Sequence, residues 1–226
     1  NNDNPQFLQL VTMQNHLPYN DWYDNNEFKD ADVSKNLGYW DRYSIDTYTK
    51  GVSYTDKSTL AFLESLDKLD KPVTVIFYGD HLPGIYDDAS KDKNNALTLH
   101  ETDYFIWSNN ASKSRGIKID HATSYTSSNY FMAMAAEHMN AKVSPYLALL
   151  TKLRENVPAI SRIVVQKGGR SKGNATYLDS NGNEIEKQKL SKTAKQLLKD
   201  YELVQYDQTS SKGYLQNTKF TQVPSK

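Results

Sequence analysis

The chain has 226 residues, 27 basic and 27 acidic, no cysteine and 38% hydrophobic residues, which describes one globular domain or a domain with an appendage. A formal net charge of +0 argues against a dedicated nucleic-acid binder, because counterion-release affinity needs a basic face and the lysines here are interleaved with acids. The lack of cysteine removes disulfide frameworks, thiolate zinc sites and thiol catalysis.

No window nears the ~20 apolar residues of a membrane-spanning helix, and no signal-peptide pattern opens the chain. The opening Asn1-Asn2-Asp3-Asn4-Pro5 has no initiator Met and leads almost at once into an apolar run. A processed, truncated or domain-only chain is expected.

Residues 7–13 are short, apolar and β-leaning, which predicts a buried strand ending in the polar loop Gln14-Asn15-His16-Leu17-Pro18-Tyr19. Residues 20–43 lack periodicity and read as a long surface loop, most acidic from Asp21 to Asp32, whose aromatics suit either stacking on sugars or surface packing. From Ser44, apolar positions recur at spacings of three and four, predicting a long helix that ends near Lys71-Pro72, weakened only locally by Gly51. The run Val73-Thr74-Val75-Ile76-Phe77-Tyr78 has the pattern of a parallel strand covered on both faces, stopping at Gly79-Asp80-His81. A second short strand is expected over residues 103–107, then helices over 127–139 and 145–156. Beyond Pro158, strands are expected at 163–166 and 175–178, a tight turn at Asn181-Gly182, and a last helix from Ser191 to Tyr206. This order favours an α/β, three-layer fold. It divides into residues 1–160 and a small hairpin-and-helix subdomain at 161–226.

Two apolar strands each lead into a polar cluster with a histidine, Asn15-His16 and Asp80-His81. In parallel α/β sheets ligands bind beyond the carboxyl ends of strands, so the two clusters are expected to converge on one site. An adjacent Asp and His offer one hard oxygen and one borderline nitrogen to a divalent cation. The same pair also suits a capping Asp and a solvated His, and two ligands do not complete a site. By itself His16 reads as a surface or packing residue. His138 reads as packed or capping within its helix. No glycine-rich phosphate loop and no G-x-S-x-G elbow is present.

The segments Met13-Gln14-Asn15-His16-Leu17-Pro18-Tyr19, Val52-Ser53-Tyr54-Thr55-Asp56, Phe77-Tyr78-Gly79-Asp80-His81 and Tyr104-Phe105-Ile106-Trp107-Ser108-Asn109, in this order and spacing, resemble the lipoteichoic acid synthase family. The resemblance covers roughly residues 5 to 160 and implies a sulfatase/alkaline-phosphatase-like sheet with flanking helices. It implies that Asp80 and His81 are ligands of a catalytic divalent metal, usually manganese, and that His16 contacts the phosphoglycerol group as a hydrogen-bond donor. The family's nucleophilic threonine and its Glu ligand lie upstream of the matching region, so no catalytic nucleophile is assigned in this chain.

The activity implied is transfer of glycerol phosphate from a phosphatidylglycerol-like lipid to a polymer or glycan acceptor. It would take place on the extracellular face of the membrane of a Gram-positive bacterium, with the missing amino-terminal half of the domain and its anchor as partners. The competing expectations are a sulfatase-superfamily hydrolase, a phosphoethanolamine transferase, or a non-catalytic module that binds a cell-wall polymer.

Overall fold

The computed structural model describes residues 4–29, 37–119, 124–161 and 175–225. The strand expected at 163–166 lies outside them. No helix among the described residues is long and apolar enough to cross a membrane.

The long helix α1 spans Tyr39–Leu66, starting and stopping about one turn earlier than its periodicity indicates. Its end is set from outside. The last carbonyls of a helix lack intrahelical donors, and here the Nδ2 of Asn109 donates to the carbonyls of Leu66 at 3.0 Å and Lys71 at 2.9 Å. The same side chain accepts from the Val73 N–H at 2.9 Å, so one fully buried amide joins the end of α1 to the entrance of the next strand.

That strand, β1 (Thr74–Tyr78), pairs with β2 (Tyr104–Ser108) from Thr74↔Ser108 to Tyr78↔Tyr104. The pairing is antiparallel, which corrects the parallel expectation. A continuous β-branched run encodes burial and says nothing about the direction of its partner. Alternation then assigns the faces: Tyr78 and Tyr104 both pack against Phe131, while Phe77 stacks on Phe105 with centroids 4.9 Å apart.

Residues 7–13 form no strand, a second correction. Phe7 and Leu8 are 75% and 85% exposed, and the run pairs with neither described sheet. Apolar, β-leaning sequence makes a strand only where a ladder receives it.

After a single helical turn α2 (Asp87–Ser90), the chain builds α3 (Phe131–His138) and α4 (Pro145–Asn156). The start of α4 follows from its sequence, since the Ser144 hydroxyl accepts from the Leu147 N–H and Pro145 takes the first helical position. Three short antiparallel strands follow, β3 (Ala159–Ser161), β4 (Thr176–Leu178) and β5 (Glu184–Ile185), and then α5 (Lys192–Thr209), capped by Ser191. Of the apolar residues of this segment, Leu190, Ala194 and Leu198 are buried, and Leu197 and Tyr201 are half-buried against them. The three buried residues join Tyr130, Met134 and Leu153 in one apolar cluster shared by α3, α4 and α5.

Within the cluster the Tyr130 hydroxyl donates to the Val157 carbonyl at 3.0 Å, and burial raises its pKa, so it remains a neutral donor. Arg154 is 1% exposed and its Nη2 donates to Glu137 Oε2 at 2.7 Å. His138 is buried as expected, its Nε2 3.0 Å from the Ser108 hydroxyl at the end of β2.

The β4–β5 turn differs from the Asn-Gly expectation. Only Gly182 has positive φ (80°), while Asp179 N–H bonds the Asn183 carbonyl and Gly182 N–H the Asp179 carbonyl. This is a three-residue loop of type I turn followed by a left-handed glycine. A Cβ at Gly182 would lie 2.5 Å from Cζ of Tyr125. Gly182→Ala is expected to cost about 1–3 kcal/mol from left-handed strain and crowding. Urea unfolding measures this, and a loss under roughly 0.5 kcal/mol would show that the ring moves aside freely.

Candidate functional site

The site begins where β1 ends. Gly79 bonds its N–H to the Asp103 carbonyl and its own carbonyl to the Thr102 hydroxyl at 2.8 Å. A Cβ on Gly79 would meet Thr102 Cβ at 3.0 Å. The glycine is required here by close approach rather than by a left-handed backbone.

Asp80 and His81 follow, 80% and 73% exposed in their side chains. Asp80 Oδ1 accepts from the His81 N–H at 2.9 Å, which leaves Oδ2 outward. His81 Nδ1 lies 2.8 Å from the Leu82 carbonyl. A carbonyl only accepts, so Nδ1 carries a hydrogen, and a neutral ring with this tautomer would have its lone pair at Nε2. That nitrogen is 3.6 Å from Asp80 Oδ2.

His16 repeats the device. Its Nδ1 is 2.7 Å from the Leu17 carbonyl, so Nδ1 carries a hydrogen there too, and Nε2 would be the acceptor in a neutral ring. The sequence carries a signal for this that the motif reading passed over: both histidines stand in the tripeptide His-Leu-Pro, at 16–18 and 81–83.

The two loops touch at one point, the residue after His16 against the residue after Pro83. Leu17 Cδ1 lies 3.8 Å from where a Cβ on Gly84 would stand. Tyr19 packs edge-on against Tyr48 of α1 at 5.6 Å, and burial, with Tyr48 and Tyr86 beside it, raises its phenol pKa. Tyr86, from the segment after His81, adds its electrostatic influence to both Tyr19 and Tyr48.

The loop before His16 is moored to α1. Asn15 Nδ2 donates to Thr55 Oγ1 at 3.1 Å, and Tyr19 hydroxyl donates to the Asn15 carbonyl at 2.9 Å. The acidic loop is moored there too: Asn26 Nδ2 donates to the Asp46 carbonyl at 2.9 Å, and Glu27 pairs with the buried Lys50 ammonium. Tyr19 and Tyr23 are taken up in this packing, whereas Trp22 and Trp40 are exposed.

Asp80 Oδ2 and His81 Nε2 fit a divalent cation as half a donor set. Two ligands each about 2.1 Å from one ion would be roughly 3–3.5 Å apart, close to the separation found. No group of three or more potential ligands occurs among the described residues.

The sulfatase family's sequence pattern matches residues 1–141. The chain belongs to the sulfatase family. A solved structure of the Streptococcus pyogenes phosphoglycerol transferase GacH, in complex with sn-glycerol-1-phosphate, is 34% identical and superposes with a TM-score of 0.60 over 84% of this chain and 41% of GacH. A Rhizobium meliloti (strain 1021) protein named for cyclic beta-1,2-glucan modification is 29% identical over 129 residues, 51% of this chain and 20% of that protein. The chain thus spans less than half the length of either relative.

The fold is the α/β sulfatase-like one expected from the motifs, and the resemblance to a phosphoglycerol transferase stands at that level. Sulfatase-family enzymes, transferases and hydrolases alike, typically use a divalent metal.

Proposed function

We propose that this sulfatase-family chain is the carboxyl-terminal part of a phosphoglycerol transferase that moves glycerol phosphate from a phosphatidylglycerol-like lipid to a cell-surface polymer or glycan. The observation that carries the reading is the pair of outward donors, Asp80 Oδ2 and His81 Nε2 3.6 Å apart, on a loop packed against the one that bears His16. The 34% identity to GacH supports phosphoglycerol as the transferred group.

In this proposal Asp80 and His81, with ligands from an upstream segment, would hold a divalent cation, manganese, which would offset charge on phosphoryl oxygens and lower the pKa of a hydroxyl nucleophile. The chain's own residues do the rest. The Leu82 carbonyl fixes the ring of His81 so that Nε2 faces Asp80 Oδ2. His16, with Nδ1–H committed to Leu17, receives a hydrogen bond at Nε2 from a glycerol hydroxyl. Donation from that nitrogen, the role implied by resemblance, requires the protonated ring.

The nucleophile, the remaining ligands and a membrane anchor come from upstream in this reading, which places the enzyme on the outer face of a Gram-positive membrane. The exposed run at 7–13 fits it, since a strand from that segment would give these residues the ladder they lack.

The test is release of glycerol phosphate by a chain that includes the upstream segment, with phosphatidylglycerol compared against sulfate ester and phosphoethanolamine donors. Preference for phosphatidylglycerol by about a hundredfold in kcat/KM is expected. Preference for either other donor would move the chain to a sulfatase or phosphoethanolamine branch.

A further inference from the structure

We infer that Gly51 is a positioning residue for His16, acting through Asn15. The inference rests on the reading of His16 as a substrate contact. Gly51 lies inside the 28-residue helix α1 and is buried there. Its backbone is not left-handed, so the helix itself has no need of a glycine at this position. What requires it is space: a Cβ on Gly51 would stand 2.8 Å from Asn15 Oδ1, 3.3 Å from the Tyr23 hydroxyl and 3.6 Å from the Gln14 carbonyl.

Asn15 has no easy way to yield. Its carbonyl receives the Tyr19 hydroxyl, its Nδ2 donates to Thr55 Oγ1, and the neighbouring Gln14 donates to Tyr23. Asn15 Oδ1 is buried with no hydrogen-bond partner, so the amide is pressed onto the helix by shape, and turning it over brings Nδ2 to the same crowded place. The next residue is His16, whose N–H closes a turn onto the Met13 carbonyl at 3.2 Å. Displacing Asn15 therefore displaces the imidazole. On the other side of His16, Leu17 rests near Gly84, where a Cβ would make only an ordinary 3.8 Å contact. The two glycines differ in consequence.

The experiment uses the 226-residue chain with isotope-labelled histidine, the His16 ring signal being assigned by its loss in His16→Gln. Gly51→Ala is expected to shift the His16 ring signal, leave that of His81 in place, and weaken sn-glycerol-1-phosphate binding by about tenfold. Gly84→Ala should do neither. Asn15→Ala removes the obstructing amide, so Gly51→Ala added to it should cause no further shift.

A purely structural glycine would change thermal unfolding in Gly51→Ala without moving the His16 signal, and that result overturns the proposal. So does a Gly51→Ala shift undiminished in the Asn15→Ala background. If sn-glycerol-1-phosphate leaves the His16 signal of the unsubstituted chain untouched, the substrate role of His16 falls, and the positioning claim is decided on the ring signals alone.

Discussion

His81→Ala, made in a chain that carries the proposed upstream segment, is expected to lower manganese affinity by about a hundredfold or more, roughly 2.7 kcal/mol, and to reduce transfer to background. The expectation follows from how little else can replace this nitrogen. No group of three or more potential ligands stands among the described residues, and the Asp80 carboxylate already uses Oδ1 to accept the His81 N–H. Asp80→Asn should weaken the ion less than His81→Ala if the amide oxygen stays in place, since it removes charge and keeps one oxygen donor. Calorimetric titration with manganese, run beside the transfer assay, measures both. Unchanged affinity in the two variants would remove these residues from the metal site and leave the fold assignment standing.

The second large effect concerns stability. Arg154→Ala is expected to destabilise the chain by about 3–5 kcal/mol, chiefly because it opens a void in the shared core, and also because it breaks an ion pair buried on the arginine side. Arg154 is among the largest fully buried side chains, 1% exposed, with Nη2 2.7 Å from Glu137 Oε2, and the pair spans α3 and α4. Glu137 retains a path to water at 27% side-chain exposure, so it tolerates the loss of its partner better than the arginine would.

Arg154→Leu separates the two contributions. A buried apolar side chain of similar reach often matches an ion pair in stability, so this variant should lose about 1–2 kcal/mol. Equal losses for the alanine and leucine variants would assign the whole effect to charge. Urea unfolding monitored through tryptophan fluorescence reads both values.

Much of the fold is legible in the residues because its signals are local. Ser144-Pro145 starts α4, Ser191 starts α5, and the runs around Val75 and Ile106 give β1 and β2 within a residue. What escaped depends on partners distant in sequence. Strand direction is one case, since nothing between Val73 and Tyr78 distinguishes an antiparallel neighbour from a parallel one. Residues 7–13 are another, because their composition satisfies a strand and their surroundings supply none.

Asn109 reads in sequence as an ordinary loop residue, yet its amide reaches back 43 positions to cap α1. Gly51 reads as a local weakness in a helix and proves to be the floor under Asn15. At the candidate site, motif order singles out His16, Asp80 and His81 as candidates. The tautomers are not legible in it, since they are set by hydrogen bonds to main-chain oxygens that composition does not reveal.

Those main-chain partners bear on how the site tolerates change over evolutionary time. A histidine oriented by a carboxylate loses its orientation when one codon changes. His16 and His81 are oriented by the peptide oxygens of Leu17 and Leu82, which every amino acid at those positions would still provide. Drift at the two leucines is therefore filtered by packing, such as the fit of Leu17 beside Gly84, while the chemistry of the rings passes unaltered from one sequence to the next.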